Sequence, residues 1–226
     1  MVILVDEYDK PMLQAIGNPE LQENYRNALK PFYGALKSKD GYIKFAMLTG
    51  VTKFGKISVF SDLNNLDDIS MRQIYVDFAV SANKNFMIIS EEEIHANLET
   101  ELHELAVAQK MTYEQACAKL EECYDGYHFV EDTIGIYNPF SLLNTFKYNK
   151  FSNYWFETGT PTYLVKLLKR HHYNLERMAD VETDADVLNS IDSESTNPIP
   201  VIYQSGYLTI KEYDKEFGIY RLGFPN

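Results

Sequence analysis

The sequence predicts an α/β fold. Two parallel strands joined by a helical crossover lead into a mostly helical region and a C-terminal β-hairpin. Three observations carry this reading. Val2-Ile-Leu-Val5 is a short apolar run rich in β-branched residues, and Tyr42-Ile-Lys-Phe-Ala-Met-Leu-Thr-Gly50 is a second apolar run. The stretch between them is helical in pattern and long enough to return the chain to the same end of the sheet. Parallel pairing with right-handed topology is therefore expected. Gly206–Tyr213 and Ile219–Phe224, separated by a polar turn ending at Gly218, read as the hairpin. A hairpin that follows several short helices fits a winged-helix arrangement.

Composition narrows the function classes. The chain has 226 residues, enough for one or two domains with a real core. Lys and Arg number 21 against 33 Asp and Glu, a net charge of −12, which argues against broad binding along a phosphate backbone. No apolar run reaches the length of a membrane span, and the first residues lack the pattern of a secretory signal, so the cytoplasm is the expected location and no membrane partner is expected. Cys117 and Cys123 lie six apart in one helical stretch and point to different faces, which disfavours a disulfide or a metal pair.

In chain order, β-strand Val2–Val5 stops at Asp6-Glu7. An apolar strand that delivers two adjacent carboxylates has the form of a Walker B motif. The first carboxylate holds the Mg²⁺ of a nucleotide, often through water, and the second polarises the attacking water. The plainer alternative is a core strand leaving into a polar turn. Asp9 is a candidate N-cap, and residues 11–37 read as two helices interrupted at Gly17-Asn-Pro19. The second strand ends at Thr49-Gly50, so Thr49 is expected on the same sheet edge as Asp6 and Glu7, where open α/β sheets bind ligands. There it is either a sensor of the γ-phosphate or a hydroxyl that caps a turn. Lys53 and Lys56 follow and stand either as contacts to a nucleotide or partner or as solvated lysines. Asn64–Asp68 is turn-rich.

The middle of the chain is helical. Ser90-Glu-Glu-Glu93 and Thr112-Tyr-Glu-Gln115 are capping boxes. The first opens a helix with Ile94, Leu98, Leu102 and Leu105 on one side, and the second opens one ending near Gly126 with Cys117, Leu120 and Tyr124 inward. His95 and His103 are two turns apart, too far for a shared metal, and read as surface residues. Asn138-Pro139 and Thr160-Pro161 open helices running to about Lys147 and His171. Tyr154-Trp-Phe156 reads as an aromatic core anchor, and residues 180–198 as a loop-dominated connector with one short helix.

Several segments together resemble an AAA-ATPase-like bacterial family whose members are usually fused to a C-terminal PD-(D/E)XK-type nuclease domain. They are Val2-Ile-Leu-Val-Asp-Glu-Tyr-Asp-Lys-Pro11, Leu48-Thr-Gly-Val-Thr-Lys-Phe54, Phe60-Ser-Asp-Leu-Asn-Asn-Leu66, Tyr124-Asp-Gly-Tyr-His-Phe129, Tyr137-Asn-Pro-Phe-Ser141, Tyr154-Trp-Phe-Glu-Thr-Gly-Thr-Pro161 and Gln204-Ser-Gly-Tyr-Leu-Thr-Ile210. The resemblance implies the C-terminal part of a P-loop ATPase core, with its Walker B and sensor strands, in residues 1–70, a helical lid-like region in 71–150 and a helical, winged-helix-like module ending in a hairpin in 151–226. It implies Asp6 as the Mg²⁺ ligand, Glu7 as the water-polarising base, Thr49 as the end of the sensor strand, and Mg²⁺ and ATP as cofactors. The family's G-x-x-x-x-G-K-[ST] phosphate cradle has no counterpart here: Gly50, Gly55 and Lys56 do not have that spacing. No P-D…(D/E)-x-K trio is evident either. The expectation is a truncated ATPase remnant without turnover of its own, which binds nucleotide if the P-loop is supplied. The alternative is a binding or regulatory module that acts through DNA or a full-length relative.

Overall fold

The computed structural model describes residues 1–51, 67, 89–128, 131, 134–157, 162–189 and 197–226. Lys53 and Lys56, the Phe60–Leu66 segment and the Thr160-Pro161 cap lie outside the described residues. The chain divides into two compact units. One comprises Met1–Asp68, Pro161–Arg177 and Glu182–Leu208, and the other comprises Ile69–Thr160, Met178–Val181 and Thr209–Asn226.

The first unit opens with strand β1 (Val2–Val5), helices α1 (Lys10–Gln14) and α2 (Pro19–Ser38), a 3₁₀ turn at Asp40–Tyr42, and strand β2 (Phe45–Leu48). β1 and β2 pair in parallel, with Val2 opposite Phe45 and Val5 opposite Leu48, as the crossover between them predicts. The break between α1 and α2 falls at Gly17-Asn18-Pro19. Gly17 takes φ +84, a left-handed conformation available to glycine at little cost, and the Asn18 side chain accepts from the Leu21 amide to cap α2. β2 is shorter at its start than the apolar run suggested, because Asp40–Tyr42 closes a 3₁₀ turn first. Met12, Leu13, Tyr33, Leu36, Leu167 and Val201 form the core, with Ile3, Tyr8 and Leu48 packed against it. The other face of the two-stranded sheet is open: Val2, Leu4, Phe45 and Met47 are all exposed.

The second unit contains helices α3 (Glu91–Asn97), α4 (Glu99–Gln109), α5 (Tyr113–Tyr124) and α6 (Pro139–Tyr148), and the short helix α7 (Tyr154–Glu157). Both capping boxes form with reciprocal bonds, at Ser90/Glu93 and Thr112/Gln115. The single helix expected over Ile94–Leu105 is two helices that meet at Leu98, whose backbone (φ −125, ψ 22) leaves the helical region. Ile94, Leu102 and Leu105 still share one buried face, so the apolar spacing survives the break. Cys117 is only half-buried. Asn138 caps α6 through the Ser141 amide, as the Asn-Pro pair predicts. Tyr154 is buried, and Trp155 meets the Tyr127 ring edge-on.

Helix α8 (Thr162–His171) belongs to the first unit. Among the described residues of 180–198, helix α9 (Ala185–Asn189) is the one short helix expected there, and strand β3 (Val181–Asp184) is an element the pattern did not predict. Helix α10 (Ile199–Gln204) follows, an apolar turn opened at Pro198 with Ile199, Val201 and Ile202 buried. The C-terminal hairpin is present as antiparallel strands β4 (Thr209–Asp214) and β5 (Ile219–Gly223).

Candidate functional site

The site grows from the pairing of β1 and β2. Because the strands run in parallel and in register, their carboxyl ends emerge side by side. The Thr49 amide donates to the Val5 carbonyl (2.8 Å) and the Tyr8 amide to the Thr49 carbonyl (3.0 Å), which extends the ladder past the last strand residues. Three of the five predicted site residues therefore meet: Asp6 and Glu7 leave β1 where Thr49 leaves β2.

Asp6 is the centre of the arrangement. Its Oδ1 accepts the Thr49 hydroxyl at 2.6 Å and the Glu7 amide at 2.9 Å. The Thr49 bond first, and the Glu7 amide second, hold its carboxyl below the usual carboxylate range. A hydroxyl that donates to Oδ1 fixes the carboxylate's orientation while the group itself stays exposed. Among the described residues, no set of three or more His, Cys, Asp or Glu side chains is placed to hold a metal ion. A single ionised carboxylate fits Mg²⁺, which binds through one or two carboxylates, retained waters and substrate phosphates rather than an all-protein cage.

Glu7 occupies the left-handed region at φ 52, where a side chain with a Cβ is strained by about 1–2 kcal/mol. Its carboxylate accepts from Lys10 Nζ at 2.5 Å, and the Lys10 amide donates to the Glu7 carbonyl at 3.0 Å. Glu7 raises the pKa of Lys10 through that hydrogen bond and its charge. The lysine therefore stays charged and keeps its grip on the base candidate. Strain concentrated at a sheet edge beside ionised groups marks a site of this kind.

Two further residues shape the edge, Gly50 and Asp9, which the sequence offers only as a strand end and a candidate N-cap. Gly50 has no room for a side chain: a Cβ there would lie 2.5 Å from Asp9 Oδ1 and 2.7 Å from the Tyr8 ring. Asp9 takes the N-cap position of α1, yet its side chain makes no capping bond and is 1% exposed, packed where Gly50 passes. Tyr33, buried beneath, donates to the Tyr8 carbonyl at 3.4 Å, and its phenol is pushed up by burial and by the Asp9 charge. The Lys10–Glu7 contact is legible only as a three-residue spacing at a strand-to-helix turn. The demand for glycine at 50 is set by a tertiary approach that no local pattern encodes.

These features define an acidic edge at the carboxyl ends of two parallel strands, the position at which open α/β sheets bind ligands. Residues 1–60 match the model of an AAA-ATPase-like family described as a predicted AAA-ATPase. The whole chain is 37% identical over 229 residues to an uncharacterized protein encoded in the vnfD 5′ region of Azotobacter chroococcum mcd 1, and it spans 40% of that relative's length. No solved structure matches the chain.

Proposed function

We propose that β1, β2 and the residues at their carboxyl ends form the metal and water-handling side of an ATPase site. The observation that carries this reading is the Thr49 hydroxyl seated on Asp6 Oδ1 at 2.6 Å, at the end of a parallel strand pair. Asp6 would hold the Mg²⁺ of a bound nucleotide, directly or through water, and Glu7, once released from Lys10, would polarise the attacking water. Thr49 fixes the Asp6 carboxylate, and would sense the γ-phosphate by turning its single hydroxyl proton from Asp6 Oδ1 to a phosphate oxygen. Mg²⁺-ATP, when bound, would supply the scissile phosphoanhydride and a divalent charge that offsets the negative charge of Asp6 and of the phosphates. Lys53 and Lys56 are proposed phosphate contacts. The phosphate cradle that completes such a site has no counterpart among these 226 residues, so weak nucleotide binding and no turnover by this chain alone are expected.

The test replaces Mg²⁺ with paramagnetic Mn²⁺. With Mn²⁺-ATP, the amide resonances of Asp6, Glu7, Thr49 and Gly50 broaden first, and Asp6→Ala removes the effect. Broadening elsewhere, or none at millimolar Mn²⁺-ATP, overturns the assignment. Steady hydrolysis that Glu7→Gln abolishes would instead show that the cradle is dispensable.

A second reading rests on a different observation. Val2, Leu4, Phe45 and Met47 expose one apolar face of the sheet. Contiguous apolar surface of this kind marks interaction sites, so these residues fit a module that acts through a partner, whether a full-length relative or a DNA-bound complex. A strictly monomeric chain that shows no DNA binding at low salt counts against it.

A further inference from the structure

A second site lies in the same unit as the acidic edge, at the opposite end of α1. The turn from α1 into α2 and one face of α8 line a half-open cavity of about 410 Å³, formed by Gln14, Ile16, Gly17, Asn18, Leu21, Lys166 and Arg170. Its size falls in the range of small-molecule pockets. Lys166 and Arg170 are one turn apart on α8, so both cations project from the same face. Among the described residues neither forms an ion pair or hydrogen bond. The Arg170 guanidinium lies over Gly17, where a Cβ would come within 3.6 Å of Nη1.

The chemistry of the lining specifies a ligand class. Two cations and no carboxylate face the cavity, which selects an anion, and an arginine fork suits a planar or tetrahedral oxyanion. Ile16 and Leu21 give the cavity an apolar wall. The first-turn amide of Leu21 is already taken by Asn18, so the anion is held by side-chain charge rather than by the helix terminus. Glu20, also in the first turn of α2, is exposed and is not part of the lining. A lone oxyanion would leave most of the volume to water and the apolar wall unused.

We propose that this cavity binds a small organic anion, a phosphate monoester or a carboxylate of metabolite size. Lys166 and Arg170 hold the anionic group, and the organic body rests on Ile16 and Leu21. The site is separate from the acidic edge and does not depend on the reading of that edge.

Phenyl phosphate, benzoate and inorganic phosphate are suitable probes, followed by amide chemical shifts of the whole chain. The expected result is saturable binding of phenyl phosphate or benzoate, with the largest shifts at Gly17, Leu21 and Arg170, and binding of inorganic phosphate at least threefold weaker. Lys166→Ala with Arg170→Ala weakens the organic anion at least tenfold, Arg170→Lys weakens it less, and Asp6→Ala leaves it unchanged. Both cations are exposed, so the variants keep the wild-type unfolding midpoint. The shift map of the unaltered chain tests the location independently of any variant. No saturable binding at tens of millimolar, shifts centred elsewhere, or binding indifferent to the double substitution overturns the site. Equal affinity for inorganic phosphate overturns the role of the apolar wall.

Discussion

Both compact units bury an apolar core, but only the strand-bearing one leaves an apolar sheet face in water. In the helical unit, Ile94, Leu102, Leu105, Ala116, Leu120 and Leu142 are at most 1% exposed, and α3, α5 and α6 begin in full capping boxes or an Asn-Pro cap, while α4 follows directly from Leu98 without a side-chain cap. Tyr124 closes one end: its hydroxyl donates to the Ser152 carbonyl at 2.9 Å and accepts the Ser152 amide at 3.0 Å. Gly126 passes so near Pro225 that a Cβ would sit 2.2 Å from its carbonyl oxygen. In the strand-bearing unit, by contrast, β1 exposes Val2 and Leu4 at 58% and 71%, and the polar residues that follow are strained, ionised and open to water. A two-stranded sheet with one face in water gains little from its own burial. The contrast teaches that stability and chemistry are allotted to different parts of the chain. The segment that carries the acidic edge packs one face on the core of Met12, Leu13, Tyr33 and Leu36 and leaves the other in water.

Substitutions can break or sharpen this contrast. The largest effect is expected in the helical core. Leu105→Ala removes a side chain with no exposure and should cost about 2–5 kcal/mol in urea unfolding. Leu4→Ala, on the open sheet face, should stay within about 0.5 kcal/mol of wild type. Comparable costs for the two would erase the distinction between the units.

Gly50→Ala comes next. Its new methyl would meet Asp9 and the Tyr8 ring, and overpacking of this kind costs about 1–3 kcal/mol. Gly34→Ala in α2 is the control: nothing lies within 4 Å of its Cβ, and the exchange should stabilise by up to about 1 kcal/mol through helix propensity. A neutral Gly50→Ala would show that the edge is looser than described.

Glu7→Gly separates stability from chemistry at one position. Relief of the left-handed strain at φ 52 should raise stability by about 0.5–1 kcal/mol, while the water-polarising carboxylate is lost. Destabilisation instead would mean that the Lys10 contact outweighs the strain.

The smallest effect concerns Asp6. Its folded pKa lies below the unfolded value of about 3.9, so its contribution is present above that value and is lost as pH falls through the folded pKa. Thr49→Val removes the hydrogen bond that contributes most to the shift. The Asp6 pKa, followed by carboxyl-carbon NMR, should rise, and the lower end of the acid-unfolding curve should move up slightly. An unchanged pKa would assign the shift to the Glu7 amide.

Much of this organisation was legible in the sequence because its signals are local. The β-branched run before Asp6-Glu7, both capping boxes, the Gly17-Asn-Pro19 interruption, the Asn138-Pro139 cap and the hairpin each depend on neighbouring residues, and all are present in the structure. What escaped depends on tertiary partners or on short elements. The bend at Leu98 interrupts a row of apolar residues whose spacing is the same with or without it. Strand β3 alternates in burial yet reads Val-Glu-Thr-Asp, too polar to announce itself. Helix α10 starts with Ile-Pro and is only six residues long. At the acidic edge, pattern located Asp6, Glu7 and Thr49, but the Lys10 grip on Glu7 and the glycine requirement at 50 emerge only once the strands pair.

The most direct test of the acidic edge is thermal unfolding of this chain titrated with Mg²⁺-ATP, with Asp6→Ala run beside it. A ligand that binds only the folded state at ten times its dissociation constant adds about 1.4 kcal/mol, so even a weak site raises the midpoint. The account predicts a modest upward shift at millimolar Mg²⁺-ATP that Asp6→Ala abolishes. An equal shift in Asp6→Ala, or none in the wild type, would contradict it.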